Sequence, residues 1–117
     1  MAFIKNRKDN VEFPELLKVG GHVIKVLYPY NFRERAELSA QCDKSLNELR
    51  INDEDGCGNK RPESNTGVDF LHELLHMIDK IYCNRKIENL GHGVEEEIVC
   101  GLSEGLYQVL ADNKLSF

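Results

Sequence analysis

Two histidines, His72 and His76, stand four residues apart, and Glu73 directly follows the first of them. On an α-helix, positions four apart differ by about 40° around the axis, so both imidazole rings can face one metal ion. Glu73 is turned by about 100° from His72 on the same geometry, which suits a general base better than a third ligand. The H-E-x-x-H spacing therefore predicts a metal site where a carboxylate can take a proton from water.

The flanking sequence predicts that these residues lie on a helix. Leucine and isoleucine recur around the motif at helical spacing, at Leu71, Leu74, Leu75, Ile78 and Ile81. Thr66 and Asp69 fit a capping box at the start of the helix, and Cys83-Asn84 marks its end. Because apolar residues flank both histidines, we expect the rings to face inward, where an unpaired polar ring would be costly. Hydrogen-bonded structural histidines are the alternative interpretation.

A third metal ligand must come from another part of the chain. A catalytic zinc site has three protein ligands and keeps one position open for water. Asp79 and Tyr82 occupy the third and sixth positions after the motif, which excludes a third histidine at that spacing. The remaining candidates are His92 and the acidic cluster Glu95–Glu97. This cluster opens a second apolar-periodic segment that contains Val94, Ile98, Val99, Leu102, Leu106, Val109 and Leu110.

With these residues the chain resembles the gluzincins, and in particular the small phage-encoded minimal zincin metallopeptidases. The resemblance is carried by the hairpin Lys18–His22, the strand Glu48–Ile51, the H-E-x-x-H motif, and the segments Glu96–Val99 and Gly105–Tyr107. These pieces span most of the chain after the first dozen residues, but only H-E-x-x-H is highly specific. The resemblance implies one zinc ion, whose third ligand is a glutamate on a following helix.

The choice among the three glutamates depends on spacing and on helix geometry. Angular position alone favours Glu95, because it lies near the middle of the apolar stripe. A metal ligand should instead flank the core and face the motif helix, and Glu96 follows His76 by the twenty positions that the resemblance implies. The predicted metal ligands are thus His72, His76 and Glu96, with Glu97 and Glu95 as alternatives. The carboxylates that do not bind metal would favour the helix N-terminus through its macrodipole.

The cysteines add little to the site. The acidic residue that the family places four positions after the glutamate ligand falls here on Cys100, so that support for a histidine is missing or comes from elsewhere. The four cysteines form no C-x-x-C pair, so neither a zinc ribbon nor a dithiol redox site is indicated. We expect their thiols to be reduced.

Composition indicates a compact enzyme rather than a binding tail. With 117 residues, 41% of them hydrophobic, the chain can form a single metallopeptidase-like domain over 1–117, with 1–12 as a frayed start. A net charge of −5 without a basic stripe argues against nucleic-acid binding. No segment approaches the ~18 apolar residues of a membrane span, so we predict a cytoplasmic protein, in the host cell if phage-encoded.

The predicted fold is α+β, with a small antiparallel sheet of about three strands packed on the motif helix. A second long C-terminal helix crosses behind it. Gly20-Gly21 predicts a type I′ hairpin between strands Leu16–Val19 and His22–Tyr28, with Ile24, Val26 and Tyr28 on one apolar face. We expect a short helical turn over Phe32–Leu38 and a third strand over Leu46–Asn52. The resemblance implies that Glu48–Asn52 pairs with an extended substrate peptide.

The sequence therefore predicts a zinc-dependent metallopeptidase that cleaves a peptide or protein substrate. The metal activates water, and Glu73 acts as the general base. The alternative is a metal-stabilised structural or regulatory binding domain without turnover, in which His92 or a second glutamate closes the site as a fourth ligand. His92, in the segment Gly91–Gly93, is expected in a loop that leads to the second helix. A metal-free helical scaffold is the third interpretation, and the sequence does not define the oligomeric state.

Overall fold

A computed structural model describes residues 3–5, 12–33, 38–55 and 59–115. The α+β prediction is confirmed, because a four-stranded sheet packs with two long helices. The strands are β1 (Phe3–Lys5), β2 (Glu12–Pro14), β3 (Leu16–Val19), β4 (His22–Leu27), β5 (Ala40–Asp43) and β6 (Glu48–Ile51). The helices are α1 (Glu63–Tyr82) and α2 (His92–Asp112), which are separated by a short 3-10 turn at Glu88–Leu90.

The Gly20-Gly21 hairpin between β3 and β4 forms as predicted. Both glycines have positive φ, 57° and 83°, as a type I′ turn requires. A side chain at Gly20 would also collide with α1, because its Cβ would lie 2.4 Å from the Ile81 side chain. The turn therefore fixes the strand register and lets the hairpin approach the motif helix closely.

The sheet is mixed rather than antiparallel, with strand order β3-β4-β6-β5. β4 pairs with β6 in parallel, and β5 pairs with β6 antiparallel. The strand β5 was not predicted, because Ala40–Asp43 lacks both alternating apolar residues and β-branched side chains. The expectation that Glu48–Asn52 offers a free edge is wrong, since β6 has a hydrogen-bonded neighbour on each side. Its place at the edge is taken by β5.

The core lies between the sheet and α1. Ile24, Val26 and Tyr28 face it as predicted, and Leu49 and Ile51 extend the same surface from β6. The α1 residues that pack against this surface are Met77, Phe70, Leu74, Ile78 and Ile81. Burial of this apolar stripe holds α1 across the sheet, with its opposite side free to meet α2.

Helix α1 begins earlier than the sequence suggested. It starts at Glu63 after Pro62, and no side chain caps its first turn. Thr66 is buried inside the helix and donates a hydrogen bond of 2.9 Å to the Glu63 carbonyl, so the capping box with Asp69 is wrong. Proline is compatible with a helix start because its fixed φ suits the helix and it has no N–H to satisfy.

Helix α1 ends at Tyr82 with Cys83 as its C-cap, in agreement with the prediction that Cys83-Asn84 marks the helix end. Asn84 has φ 51°, which turns the chain out of the helix. The buried Asp79 carboxylate accepts hydrogen bonds of 3.0 Å from the N–H groups of Ile87 and Glu88. These bonds fix the turn that directs the chain from α1 back into α2.

Helix α2 packs on α1 through small and polar residues. Val99 and Ser103 are fully buried, and Tyr107 lies against the backbone of Gly67 in α1. Within the described residues, neither helix combines the length and the apolarity that a bilayer crossing requires. At the N-terminus, the backbone of β1 pairs with that of β2 inside the segment expected to fray. Positions 34–37 of the predicted helical turn lie outside the described residues.

Candidate metal centre

Helices α1 and α2 bring His72, His76 and Glu96 together. The two Nε2 atoms lie 3.1 Å apart. Glu96 places Oε2 3.1 Å from His72 Nε2, and Oε1 3.1 Å from His76 Nε2. The H-E-x-x-H spacing explains the two rings, and the packing of α2 supplies the carboxylate. Two histidine nitrogens and one carboxylate thus converge on a single point.

The donor set and its spacing fit a small divalent cation. Zinc accepts imidazole nitrogen and carboxylate oxygen at about 2.0–2.1 Å, which separates tetrahedral ligands by about 3.3 Å. The observed separations of 3.1 Å match that geometry closely. The three residues therefore form a group that could bind a metal ion. Direct hydrogen bonds between protonated histidines and Glu96 would give similar distances without an ion.

The three neighbouring glutamates have three different environments. Glu95 is buried, and its Oε2 lies 3.2 Å from His76 Nδ1; both side chains are only 9% exposed. Glu96 faces the Nε2 atoms, and Glu97 is exposed to solvent. The core-facing position that periodicity gave to Glu95 is thus correct. There its carboxylate can fix the orientation of His76 instead of binding a metal.

The imidazole ring of His72 also has a neighbour on α2 at its Nδ1 atom. Cys100 Sγ lies 3.8 Å from His72 Nδ1, within the range of a weak hydrogen bond to sulfur. Each imidazole therefore directs Nε2 toward the shared point and Nδ1 toward a residue of α2. The sequence left the source of this support open, and the structure places a thiol there.

Burial shifts the pKa of two residues in the cluster. Burial, together with the negative charges of Glu96 and Asp69, raises the pKa of Glu73 to about 8. Burial lowers the pKa of His76, and the neighbouring His72 ring acts in the same direction. A lower pKa favours neutral imidazole, which is the form that binds metals. Both shifts describe the protein without an ion.

A cleft of about 420 Å³ opens over the cluster. Its wall is formed by the edge strand β5 and the turn that follows, and its floor by α1 and α2. The residues that line it are Leu38, Ala40, Gln41, Cys42, Lys44, His72, Glu73, His76, His92, Glu95 and Glu96. Glu73 is therefore both buried and at the cleft surface. The β5 residues in this wall were missed from the sequence because the strand itself was missed.

His92 is the first residue of α2 rather than part of a loop. Its ring is exposed, and it forms a second group with Glu95 and Glu96 whose ligand atoms all lie within 4.8 Å of one another. The helix begins here because Gly91, with φ 101°, turns the backbone sharply before it. Glu96 thus belongs to both candidate groups.

Comparisons of the chain with protein-family models, with curated proteins and with solved structures gave no significant match.

Proposed function

We propose that this protein is a zinc-dependent metallopeptidase. The observation that carries the proposal is the convergence of His72, His76 and Glu96, with separations of 3.1 Å, beside the buried Glu73 in an open cleft. Zinc is the preferred ion because two histidines and a carboxylate suit it better than they suit Mg²⁺ or Ca²⁺. Three protein ligands would leave one position open for water, as catalysis requires.

Each side chain of the cluster has a defined role in this proposal. When bound, zinc supplies Lewis acidity, which lowers the pKa of water from about 16 toward about 7 and polarises a carbonyl. Glu73 accepts the proton of the attacking water and passes it to the amine that leaves. Glu95 and Cys100 hold the two imidazoles in orientation through their Nδ1 atoms.

The edge strand β5 supports a peptide as the substrate. It is the last strand of the sheet, and Ala40, Gln41 and Cys42 line the cleft. Its outer backbone groups have no strand partner among the described residues, so an extended peptide can pair with them. This role replaces the one expected for Glu48–Asn52. The enzyme we propose acts in the cytoplasm, where Cys42, Cys83 and Cys100 stay free thiols as in the structure.

The second candidate function is a metal-stabilised structural or regulatory domain without turnover. One observation favours it: His92 and Glu95 form a second group of possible ligands with Glu96, so further metal-binding side chains lie beside the first group. A closed site leaves no position for water, and Glu73 would then be dispensable. The two functions thus differ in their number of protein ligands and in the role of Glu73.

Metal content tests the site itself. Untagged protein should carry about one zinc per chain by native mass spectrometry, in keeping with a single three-ligand site. His76→Ala and Glu96→Gln should lose the ion. Glu97→Gln is the matched control, because Glu97 is exposed on the same turn of α2 and should keep it. Wild-type protein that takes up no zinc when supplied with it would refute the proposal.

Turnover tests the enzyme. Zinc-loaded protein should cleave a mixture of unfolded proteins, with the products read by mass spectrometry. Glu73→Gln should keep zinc but lose turnover by about 10²–10⁴-fold, the usual contribution of a general base. If the protein holds zinc but neither wild type nor Glu73→Gln cleaves any peptide, the structural domain is the better description.

A further inference from the structure

The outer face of α2 is apolar and exposed. We define it by Val94, Ile98, Leu102, Leu106 and Val109, together with Gly101 and Gly105. Four of these side chains, those of Val94, Leu102, Leu106 and Val109, are 40–47% exposed. The sequence pattern assigned them, together with Val99, to one buried stripe around Glu95, but α2 is rotated so that Glu95, Val99 and Ser103 are its buried residues. A row of apolar residues is therefore left on the solvent side of the helix.

The shape of this face suits another helix. Residues 94, 98, 102 and 106 follow one another at intervals of four, which forms a ridge of the kind that helices pack into grooves. Gly101 and Gly105 lie beside the ridge, and a Cβ at either would meet nothing within 4 Å. They leave a shallow groove where a partner backbone can approach. At about 1.5 Å per residue, α2 is roughly 31 Å long, enough for a partner helix of about twenty residues.

The charges on α2 decide which helix fits. The segment His92–Asp112 contains five acidic residues and no lysine or arginine. Glu97, Glu104 and Asp112 are exposed beside the outer face. A second copy of the chain would bring a second acidic helix against the first, and each chain already carries a net charge of −5. Complementary charge favours a basic partner instead.

We propose that the outer face of α2 binds an amphipathic helix of a partner protein, one whose apolar stripe is flanked by lysine or arginine. The partner's apolar residues pack on the ridge and beside the two glycines, as in other helix-in-groove complexes. Its basic residues pair with Glu97, Glu104 and Asp112. The face uses no ligand of the metal centre, so this binding does not depend on the proposed peptidase activity.

A synthetic peptide provides the test. The probe is a fluorescein-labelled helix of about twenty residues with leucines on one face and lysines on the other; the length follows that of α2. A second peptide carries glutamates in place of the lysines, and a third has the same composition as the first in scrambled order. Fluorescence anisotropy should give saturable binding of the lysine peptide, and at least about tenfold weaker binding of the other two.

Two variants locate the binding. Leu102→Glu should weaken binding of the lysine peptide at least about tenfold, because an apolar anchor is lost. This loss is expected even though the added negative charge attracts lysine. Val23→Glu is the matched control, because Val23 is 56% exposed on β4 and the substitution adds the same charge. The affinity of this variant for the lysine peptide should equal that of the wild type. Gly101→Ala should also weaken binding while the helix remains folded by circular dichroism, because a methyl group then fills the groove.

Three results would overturn the proposal. Equal binding of the lysine and glutamate peptides would show that charge complementarity does not select the partner helix. Binding that is unchanged in both Leu102→Glu and Gly101→Ala would place the peptide elsewhere. A dimer seen by analytical ultracentrifugation and dissociated by Leu102→Glu would identify a second copy of this chain as the occupant.

Discussion

Replacement of Glu95 should weaken zinc binding although Glu95 is not a predicted ligand. Its Oε2 lies 3.2 Å from His76 Nδ1, where it can accept a hydrogen bond from Nδ1–H and leave Nε2 free for the proposed zinc ion. Glu95→Ala removes this acceptor and lets the ring rotate. Glu95→Gln keeps an acceptor oxygen but removes the charge that raises the basicity of the imidazole.

The expected loss is moderate and graded. Partners that orient a metal-binding histidine contribute about 10–100-fold in affinity. Because Glu95 and His76 are both only 9% exposed, water cannot easily replace the lost acceptor. We therefore expect a loss near 100-fold for Glu95→Ala, or about 2.7 kcal/mol, and near tenfold for Glu95→Gln, or about 1.4 kcal/mol.

Competition with a chromophoric zinc chelator measures these affinities. Glu97→Gln serves as the control for charge alone, because it removes a carboxylate that is exposed beside the cluster. Chemical denaturation of the metal-free variants shows whether the fold survives. Equal affinities for wild type and Glu95→Ala would refute the orienting role. A loss in Glu95→Ala as large as in Glu96→Gln would instead make Glu95 a ligand.

Two further predictions concern packing and protonation. Gly67→Ala should destabilise the protein by about 1 kcal/mol in urea denaturation, since a Cβ would lie 2.4 Å from the Tyr107 ring and overpacking outweighs the gain in helix propensity. Gly101→Ala should stabilise the protein by about 1 kcal/mol, because the space around its Cβ is open. If both alanine variants changed the free energy of unfolding in the same direction, the packing difference between Gly67 and Gly101 would be contradicted. Hydrogen bonds, the largest contribution coming from Ser45, lower the pKa of Asp43 to about 2. The ionised carboxylate therefore stabilises the fold at pH values above the pKa that Asp43 has in the unfolded chain. This stabilisation is lost as the pH falls toward 2. NMR titration should find this pKa and its increase in Ser45→Ala, and an Asp43 pKa near 4 in both proteins would contradict it.

The features predicted most accurately from the sequence are those that local backbone geometry alone determines. The two histidines share a face of any helix that contains them, and Gly20-Gly21 permits few turns other than the one observed. The strand β5 was missed because its residues show no alternation of apolar and polar side chains. Only its pairing with β6 makes this segment a strand. The parallel pairing of β4 with β6 was missed for the same reason. Such features depend on partners that are distant in the chain.

The choice among Glu95, Glu96 and Glu97 shows what helix periodicity alone could not decide: the spacing that the resemblance implies pointed to Glu96, and Glu96 lies beside both histidines in the structure. Consecutive residues are turned by about 100°, so the rotation of α2 about its own axis determines which carboxylate faces the two histidines. Apolar periodicity usually fixes that rotation, and here it correctly turns Glu95 and Val99 inward, but it also assigns to the core Val94, Leu102, Leu106 and Val109, which are exposed. The observed rotation comes from small contacts, in which Val99 and Ser103 are buried against α1 and Tyr107 lies over Gly67.

These contacts have a consequence for the proposed metal site. The same helix rotation turns Glu95 and Glu96 toward the histidines and leaves the apolar ridge of α2 in solvent. A rotation that buried Leu102 and Leu106 would stabilise the protein through added apolar contact, but it would carry Glu96 away from His72 and His76. The observed arrangement leaves four large apolar side chains 40–47% exposed and keeps the carboxylate at 3.1 Å from both rings. This is the packing expected if the proposed metal site, rather than apolar burial, determines how the two helices meet.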